Sequence, residues 1–392
     1  MLKTQTVRLY PNSFMRHYLD DMCEYRRYLW NKALEIWNLQ YKFYRQGKIK
    51  KLPNECHVRD VIMMYKRLPI NAWQYKLSSH ALQFTIRDLA KAWDHYLNKS
   101  QTNWGKPQFK SKNDTKRLGF KTDLAKVING KLKLDKPQKL TDNHWSSIRV
   151  KGLAKDQHNL KIKLASIYRE NGKYYAALQY ECQVKPLPKI QDTVGIDVNV
   201  GHFNLATKTK LYKIDIFPKK LAKLYQQIKF YQKCLAHKRV INRHFKTKNY
   251  LTIKTKLTQI YTKAVAIQHD LMHKLTTKLV TQYQKITIED LDVKHMLMSH
   301  VASKGLHRSM FGLFRQYLTY KTAYSQRDLL VADRSFPSTQ KCSQCGYVKT
   351  GDERITLSGN VKYHTKHNEY ICYQCGAILN RDDNAAINLL NY

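Results

Sequence analysis

Two pairs of cysteines near the end of the chain constrain its fold more than any other feature. Each pair has the spacing Cys-x-x-Cys, at Cys342 and Cys345 and again at Cys372 and Cys375, and a glycine follows each pair. This is the pattern of a zinc knuckle, and four thiolates from two knuckles complete a closed tetrahedral structural site. The sequence therefore predicts a Zn²⁺-binding lobe over residues 336–376.

The segment between the two pairs leaves alternatives open. It is longer than the usual spacing of a zinc ribbon, and Leu357-Ser-Gly-Asn360 predicts a turn that folds the excess into a hairpin. His364 and His367 lie in this segment and are competing ligands. A redox dithiol is another interpretation of Cys-x-x-Cys, but it does not explain why there are two pairs.

The chain carries a large excess of positive charge. Its 392 residues include 70 Lys and Arg against 29 Asp and Glu, a formal net charge of +41. Such an excess suits a polyanion, and nucleic acid fits better than a membrane surface because the lysines are interleaved with aromatic residues. Because no apolar run is long enough for a membrane span and the N-terminus has no signal-peptide core, we expect an intracellular protein.

The first hundred residues predict a helical module. Apolar and aromatic residues recur every three or four positions from Phe14 to Trp37, which is typical of a helix with one buried face. Residues 58–99 continue this pattern with further helices. We therefore assign residues 11–104 to a helical domain.

A small β-barrel is predicted to follow. After Gly105 the sequence changes to short strand-like runs, and Asn-Gly pairs that begin at Asn129 and Asn171 predict tight hairpin turns. We assign residues 105–185 to this barrel, which the alternating strand of residues 1–10 is expected to join.

The second half of the chain alternates strands and helices, which predicts an α/β sheet. Lys185-Pro-Leu-Pro188 precedes it and is interpreted as a linker. The predicted elements are a strand at 193–198, two short strands through 217, basic helices at about 218–245 and 250–283, a strand at 285–289, a helix near 305–326, a strand at 329–332 and a closing helix from about Asp383. We assign residues 190–335 and 377–392 to this domain.

Three acids lie where strands end or a helix begins in this basic half. Asp197 and Glu289 end apolar strands, and Asp382 opens the closing helix. Acids at the carboxyl ends of strands point into the crevice where α/β sheets bind ligands. Clustered carboxylates repel one another unless cations neutralise them, and hard oxygen ligands suit Mg²⁺ or Mn²⁺. The pattern predicts a two-metal site able to hydrolyse phosphodiesters.

Each of these acids also has a plain structural interpretation as a helix cap or a surface charge. Asp382 in particular is a plausible N-cap residue. Asp290 and Asp383, the immediate neighbours of the second and third acids, are competing choices as ligands.

Several short motifs follow one another in a fixed order along nearly the whole chain. They are Val7-Arg-Leu-Tyr-Pro11, Gly105-Lys-Pro-Gln-Phe-Lys110, Gly195-Ile-Asp-Val198, Ile288-Glu-Asp-Leu291, Phe336 through Gly346 with the first cysteine pair, Cys372 through Gly376, and Arg381-Asp-Asp-Asn-Ala-Ala386. In these motifs the sequence resembles the TnpB (OrfB) proteins, transposon-encoded RNA-guided endonucleases related to type V CRISPR nucleases. Asn380, Asn199 and the expanded stretch between the cysteine pairs depart from the family pattern.

The resemblance implies a RuvC-like RNase H fold in which Asp197, Glu289 and Asp382 are the catalytic, metal-binding triad. It further implies a zinc-ribbon insertion before the third acid, a helical recognition domain and a β-barrel wedge domain. On this reading the chain is a Mg²⁺-dependent endodeoxyribonuclease of an insertion sequence.

The resemblance also implies partners, namely a guide RNA made from the transposon end and double-stranded target DNA, in a ribonucleoprotein with a monomeric protein and no membrane. The protein would read only a short flanking motif, and a prokaryotic cytoplasm, near the nucleoid, is the expected location. Six residues are candidate nucleic-acid contacts, each with the alternative interpretation of a solvated surface residue: Lys76, Ser79, Gln83, Lys106, Lys161 and Lys163.

Two other functions remain as alternatives. One is an RNA-guided DNA-binding regulator that does not cleave, against which the intact acids argue. The other is a DNA-processing transposase or a resolvase-like nuclease that works without RNA. No single one of the 27 tyrosines stands out as a strand-joining nucleophile.

Overall fold

The structure is a computed structural model that describes residues 1–392 apart from 99, 101–103, 113–117, 138, 155–156, 184–185, 242–246, 292–308 and 357. Lys185 of the predicted linker, the start of the helix predicted at 305–326, and Leu357 of the predicted turn lie outside the described residues. The chain divides into two compact units, Met1–Gln183 and Val184–Tyr392. In the described part of the chain, no helix is both long enough and apolar enough to cross a bilayer.

The sheet of the first unit is a barrel of antiparallel strands. Its strands are β1 (Leu2–Tyr10), β2 (Leu118–Thr122), β3 (Lys126–Ile128), β4 (Lys131–Lys133), β5 (Ile148–Lys151), β6 (Leu160–Glu170) and β7 (Lys173–Glu181). The order is β2-β6-β3-β4-β5-β1-β7, and β7 also pairs with β6, so six strands close into a ring with β2 beside β6. Because β1 pairs with both β5 and β7, the strand at the start of the chain joins the barrel as expected.

Two hairpins of the barrel turn on Asn-Gly pairs, as the sequence predicts. Asn129 and Gly130 have φ of 49° and 69°, and Asn171 and Gly172 have φ of 50° and 72°. Positive φ at both central residues is the type I′ turn, whose twist matches that of the flanking strands.

The helices of the first unit are α1 (Ser13–Arg45), α2 (Glu55–Arg67), a short 3₁₀ helix (Pro69–Lys76) and α3 (Ser79–Leu97). The side chain of Asn12 caps α1 by accepting a hydrogen bond from the Met15 N–H at 2.7 Å. The apolar stripe predicted for α1 is largely buried. On α3 the buried face includes Leu82 and Ile86, whereas Tyr96, which was expected to be buried, is 37% exposed. The sequence of α3 allowed two overlapping stripes, and packing against α1 selected one of them.

The second unit is built on a mixed five-stranded sheet. Its strands are β8 (Thr193–Val198), β9 (His202–Ala206), β10 (Leu211–Asp215), β11 (Lys285–Glu289) and β12 (Asp328–Ala332). The order is β10-β9-β8-β11-β12. The first three are mutually antiparallel, and β11 runs parallel to both β8 and β12. Two separate segments of chain therefore end at the same edge of the sheet, at the carboxyl ends of β8 and β11.

The helices of this unit are α4 (Lys219–Ile241), α5 (Lys248–Gln282), α6 (Phe311–Ser325) and α7 (Arg381–Leu390). Helices α4 and α5 pack against each other around Leu221, Ile228 and Ala264. The buried faces of α5 and α6 cover the sheet through Met272, Phe314 and neighbouring apolar residues. Before α7, the cysteine segment forms a small lobe with strands β13 (Glu369–Ile371) and β14 (Ile378–Asn380).

Candidate active site and zinc site

The first predicted acid, Asp197, lies near the carboxyl end of β8 in the middle of the sheet. It is only 6% exposed, and its neighbours Ile196 and Val198 are part of the core. The Nδ2 group of Asn199 donates a hydrogen bond to Asp197 Oδ2 at 2.6 Å. A carboxylate in such a buried position is unfavourable unless it is paired or bound to a cation.

Glu289 lies beside Asp197 at the same edge of the sheet. Strand β11 runs parallel to β8 with Ile288 paired to Ile196, so the acids that follow these residues are neighbours across the two strands. Their carboxyl groups share a hydrogen bond. The strand register thus brings the first two predicted acids into direct contact.

Asp382 reaches this edge from the first turn of α7. The helix is capped by Asn380, whose side-chain oxygen accepts hydrogen bonds from the N–H groups of Asp382 at 3.0 Å and Asp383 at 3.1 Å. The interpretation of Asp382 as the N-cap residue is therefore wrong, because the cap lies two residues earlier. The charge of Asp382 is close enough to contribute to raising the pKa of both Asp197 and Glu289.

The carboxylate of Asp382 is held by two basic side chains that sequence reasoning missed. Arg381 approaches it at 3.2 Å and Nε2 of His202, at the start of β9, at 3.5 Å. Arg381 lies beside Asp382 in the sequence and could have been suspected. His202 carries no such signal, because only the β8–β9 hairpin places it near α7.

The pKa values show how unfavourable the shared site is for negative charge. Burial, followed by the charges of Glu289 and Asp382, raises the pKa of Asp197 well above its usual range. Burial also raises the pKa of Glu289. The hydrogen bond between them raises the pKa of Asp197 and lowers that of Glu289, so the proton resides on Asp197, which donates it to Glu289.

Gly195 sets the distance between α7 and β8. A Cβ atom at this position would lie 2.2 Å from the Leu390 nitrogen and 2.3 Å from the Ala386 oxygen, both in the backbone of α7. Only glycine lets the helix approach the strand so closely. Because Asp382 is on this helix and Asp197 is two residues from Gly195, the glycine determines the spacing of the two acids.

The three acids do not form one compact ligand cluster. Among the described residues, the four cysteines are the only group of three or more acidic, His or Cys side chains whose ligand atoms all lie within 4.8 Å of one another. Asp197 and Glu289 are in contact, whereas Asp382 is directed toward Arg381 and His202. A site for two ions does not require all ligands to meet at one point, because each ion takes only part of the set.

The competing acids have other partners. Asp290 forms ion pairs with Arg315 and Arg334. Asp383 accepts a hydrogen bond from Asn204 Nδ2 at 2.7 Å. Neither raises the pKa of Asp197 or Glu289, which distinguishes both from Asp382.

The four predicted zinc ligands do come together. The Sγ atoms of Cys342 and Cys375 are 3.8 Å apart and those of Cys345 and Cys372 are 3.5 Å apart. Both pairs have the same backbone pattern, in which the N–H of the glycine after the pair donates to the carbonyl of the first cysteine at 3.0 Å. Two matching knuckles with four thiolates within reach of one centre fit a structural Zn²⁺.

The long segment between the cysteine pairs folds back on itself without adding a ligand to this cluster. Asn360 and Thr365 form an antiparallel bridge, and Gly359 adopts a φ of 88°. His364 and His367 are exposed and do not belong to the cysteine cluster, so the alternative of histidine ligands is not supported.

The zinc lobe is fastened to α7 by two asparagines. Asn384 Nδ2 donates to the Lys341 carbonyl at 2.7 Å, and its oxygen accepts from the Ser343 N–H at 2.9 Å. Asn388, one turn later, donates to the carbonyls of Ser338 at 2.8 Å and Lys341 at 2.7 Å. The first knuckle is thereby tied to the helix that carries Asp382.

The six candidate nucleic-acid contacts are on the surface of the first unit. Lys76, Ser79 and Gln83 are exposed around the start of α3. Lys106 lies 5.5 Å from the centre of the Trp93 ring. On β6 of the barrel, Lys161 and Lys163 are exposed, and Lys163 forms an ion pair with Glu181 at 2.5 Å. The lists for both groups are compatible with a surface role as well as with binding.

Three family models match the chain. Residues 177–300 match the OrfB_IS605 model, described as "Probable transposase", and residues 311–389 match the TNB domain of Cas12f1-like proteins. Residues 1–47 match HTH_OrfB_IS605, described as a helix-turn-helix domain. In this structure that last segment is a strand, β1, followed by the single long helix α1.

Curated relatives align with most of the chain. A protein of Streptomyces pristinaespiralis named "Putative RNA-guided DNA endonuclease" is 26% identical over 98% of this chain and 87% of its own length. The protein InsQ of Escherichia coli strain K12, with the same description, is 25% identical over 94% of this chain and 88% of its own. A solved chain from a Cas12f1-sgRNA-target DNA complex shares the fold, with a TM-score of 0.54, 13% identity and coverage of 100% of this chain and 99% of that chain.

Proposed function

Because this chain belongs to the TnpB (OrfB) family, we propose that it is an RNA-guided DNA endonuclease with a single acidic site. The observation that carries the proposal is the meeting of Asp197, Glu289 and Asp382 at one edge of the sheet, where each acid disfavours the charge of the others. The names of the aligned relatives and the net charge of +41 support the same function.

We assign the five-stranded sheet and its helices, residues 190–335 and 377–392, to a RuvC-like nuclease domain of the RNase H fold. Residues 336–376 are its zinc-ribbon insertion. Residues 1–10 and 105–185 form the wedge domain, and residues 11–104 form the recognition domain. A mixed sheet with acids at its carboxyl edge and a thiolate cluster before the last helix support these assignments.

The donor set fits hard divalent cations. Two Mg²⁺ or Mn²⁺ ions about 3.5–4 Å apart, when bound, would activate the attacking water and stabilise the leaving oxygen. Asp197 would be shared between them, because it touches Glu289 and is also influenced by Asp382. Asn199 fixes the orientation of the Asp197 carboxylate. The proton on Asp197 must leave before the site can hold cations.

Asp382 would complete the site after exchanging its present partners. Its carboxylate is neutralised by Arg381 and His202, at distances of 3.2 Å and 3.5 Å. A divalent cation competes directly with these side chains for the same oxygens. The four cysteines would hold Zn²⁺ in a closed site, and their attachment to α7 through Asn384 and Asn388 positions the third acid.

The partners follow from the same assignment. A guide RNA from the transposon end would pair with one strand of the target, while the basic surface binds backbone phosphates. We propose that Lys76, Ser79, Gln83 and Lys106 read the flanking motif, and that Lys161 and Lys163 contact RNA. We further propose that the protein is a monomer within the ribonucleoprotein and acts in the cytoplasm at the nucleoid.

The test is cleavage of a guided target by the copurified ribonucleoprotein in Mg²⁺. The variants Asp197→Ala and Glu289→Ala should lose cleavage while keeping guide-dependent DNA binding. Asp270→Ala, which removes an exposed acid paired with Lys274 on α5, should cleave normally. Cleavage by either active-site variant would refute the assignment of the acids.

The same preparation separates the alternatives. If the unaltered protein binds guide RNA and target but never cuts in Mg²⁺, it is a non-cleaving regulator. If no defined RNA copurifies and DNA is cut without it, the protein is an RNA-independent nuclease of the transposase or resolvase kind.

A further inference from the structure

Asp290 connects two arginines from different elements beside the candidate active site. It directly follows Glu289, the last residue of β11. It forms ion pairs with Arg315 in α6 and with Arg334, two residues after β12, the latter at 3.3 Å. One acid therefore collects two cationic side chains from a helix and a loop.

The strand register places this group at the acidic edge of the sheet. Strands β11 and β12 are parallel, and Glu289 is paired with Ala332. Asp290 and Arg334 thus leave the sheet in the same direction and at the same edge as Glu289. Arg315 is brought there by the second turn of α6, which begins at Phe311.

The charges of the group are not balanced. One carboxylate faces two guanidinium groups, which leaves one excess positive charge. The side chains of Arg315 and Arg334 are 46% and 63% exposed, whereas that of Asp290 is 26% exposed. Exposed ion pairs contribute only about 0–1 kcal/mol to stability, so holding a second arginine here adds little to the fold. A planar fork of N–H donors matches a phosphate group well.

We propose that Arg315 and Arg334 bind a backbone phosphate of the strand being cut, next to the scissile bond, and that Asp290 is a positioning residue for both. The inference rests on the proposed nuclease function. A cluster of carboxylates repels the DNA backbone, and two arginines at its border supply the local attraction that brings a strand to it. Asp290 then has a role distinct from metal binding.

The first experiment measures the cutting step. Single-turnover cleavage at saturating ribonucleoprotein should slow by about 10-fold to 100-fold in Arg315→Ala and in Arg334→Ala, because the phosphate is no longer held in register. The matched control is Arg59→Ala, which removes an exposed arginine paired with Asp60 at 2.9 Å on α2. The control should cut at the unaltered rate, because losses of remote binding vanish at saturation.

The second experiment reads phosphate contacts without cleavage. In an Asp197→Ala background, the target-bound ribonucleoprotein is titrated with a short fluorescent single-stranded DNA at several salt concentrations. Loss of one phosphate contact should lower the slope of log K against log salt by about 0.7. The more conservative Arg334→Lys should keep the slope but not the full cleavage rate, since an ammonium group cannot make the forked contact.

Asp290→Asn distinguishes positioning from metal binding. It should slow cleavage while leaving the salt slope and the half-saturating Mg²⁺ concentration unchanged, whereas loss of a metal ligand would raise that concentration. A raised Mg²⁺ requirement, or arginine variants that cut within twofold of the unaltered protein, would overturn the proposal. If Asp197→Ala itself still cuts, the nuclease assignment fails; if it is inactive while the arginine variants are normal, only the arginine proposal fails.

Discussion

Gly195→Ala is the substitution for which the structure gives the clearest quantitative expectation. The added Cβ would lie 2.2 Å from the Leu390 nitrogen and 2.3 Å from the Ala386 oxygen, whereas ordinary contacts begin at 3.4 Å. The atoms it would meet belong to the backbone of α7, so no side-chain rotation can relieve the overlap. Helix α7 must therefore move away from β8 by about 1 Å.

The displacement has two measurable consequences. Overpacking of this kind destabilises a protein by about 1–3 kcal/mol, which urea unfolding can detect. Because α7 carries Asp382, a shift of about 1 Å should also reduce single-turnover cleavage by about 100-fold. The cleavage rate should be measured well below the melting temperature, where the variant remains folded.

The matched control is Gly312→Ala. Gly312 lies in α6, and a Cβ atom there would meet nothing within 4 Å. Because alanine favours a helix over glycine, this variant should be unchanged or more stable by up to about 1 kcal/mol. If Gly195→Ala cuts and unfolds like the unaltered protein, the claim that α7 fixes the third acid through this contact is wrong.

Three further outcomes are expected. Asn388→Ala removes the donor to two carbonyls of the first knuckle and should lower the free energy of unfolding by about 1–3 kcal/mol and speed zinc release to a chelator; unchanged zinc release would contradict this. In Mg²⁺-free buffer that retains zinc, the unfolding free energy should fall as pH rises, by at most about 1.4 kcal/mol per pH unit for one group, because the raised pKa of Asp197 makes the folded state bind more protons than the unfolded state. Asp197→Asn should flatten that dependence and be the more stable protein at high pH, and melting curves across pH would show the opposite if the site tolerates its charges. Cys345→Ser should reduce bound zinc, measured by metal analysis, and also cleavage, because the knuckle holds α7; full cleavage without zinc would separate the two sites.

Features that depend on short sequence patterns could be predicted. The Asn-Gly turns of the barrel require positive φ, and the sequence supplies the residue types that adopt it. The placement of Asp197 and Glu289 follows from two apolar strands ending in acids, because parallel strands share an edge. The cysteine cluster follows from spacing alone.

Features that depend on contacts between distant segments could not be predicted. The proximity of His202 to Asp382 requires the β8–β9 hairpin and α7 to meet, and no local pattern encodes that meeting. The same holds for the two arginines on Asp290, which come from α6 and from the loop after β12. Gly195 was visible as part of a motif, but its reason, the close backbone of α7, is a tertiary one.

The most direct test of the account is to locate the ions. A structure of the ribonucleoprotein with target DNA, soaked in Mn²⁺ and examined by anomalous scattering, should show Mn²⁺ bound by Asp197, with Glu289 and Asp382 as the other carboxylate ligands and Asp382 released from Arg381 and His202. Mn²⁺ bound elsewhere while the DNA is cut, or Asp382 still paired with its two basic partners beside an occupied site, would contradict it.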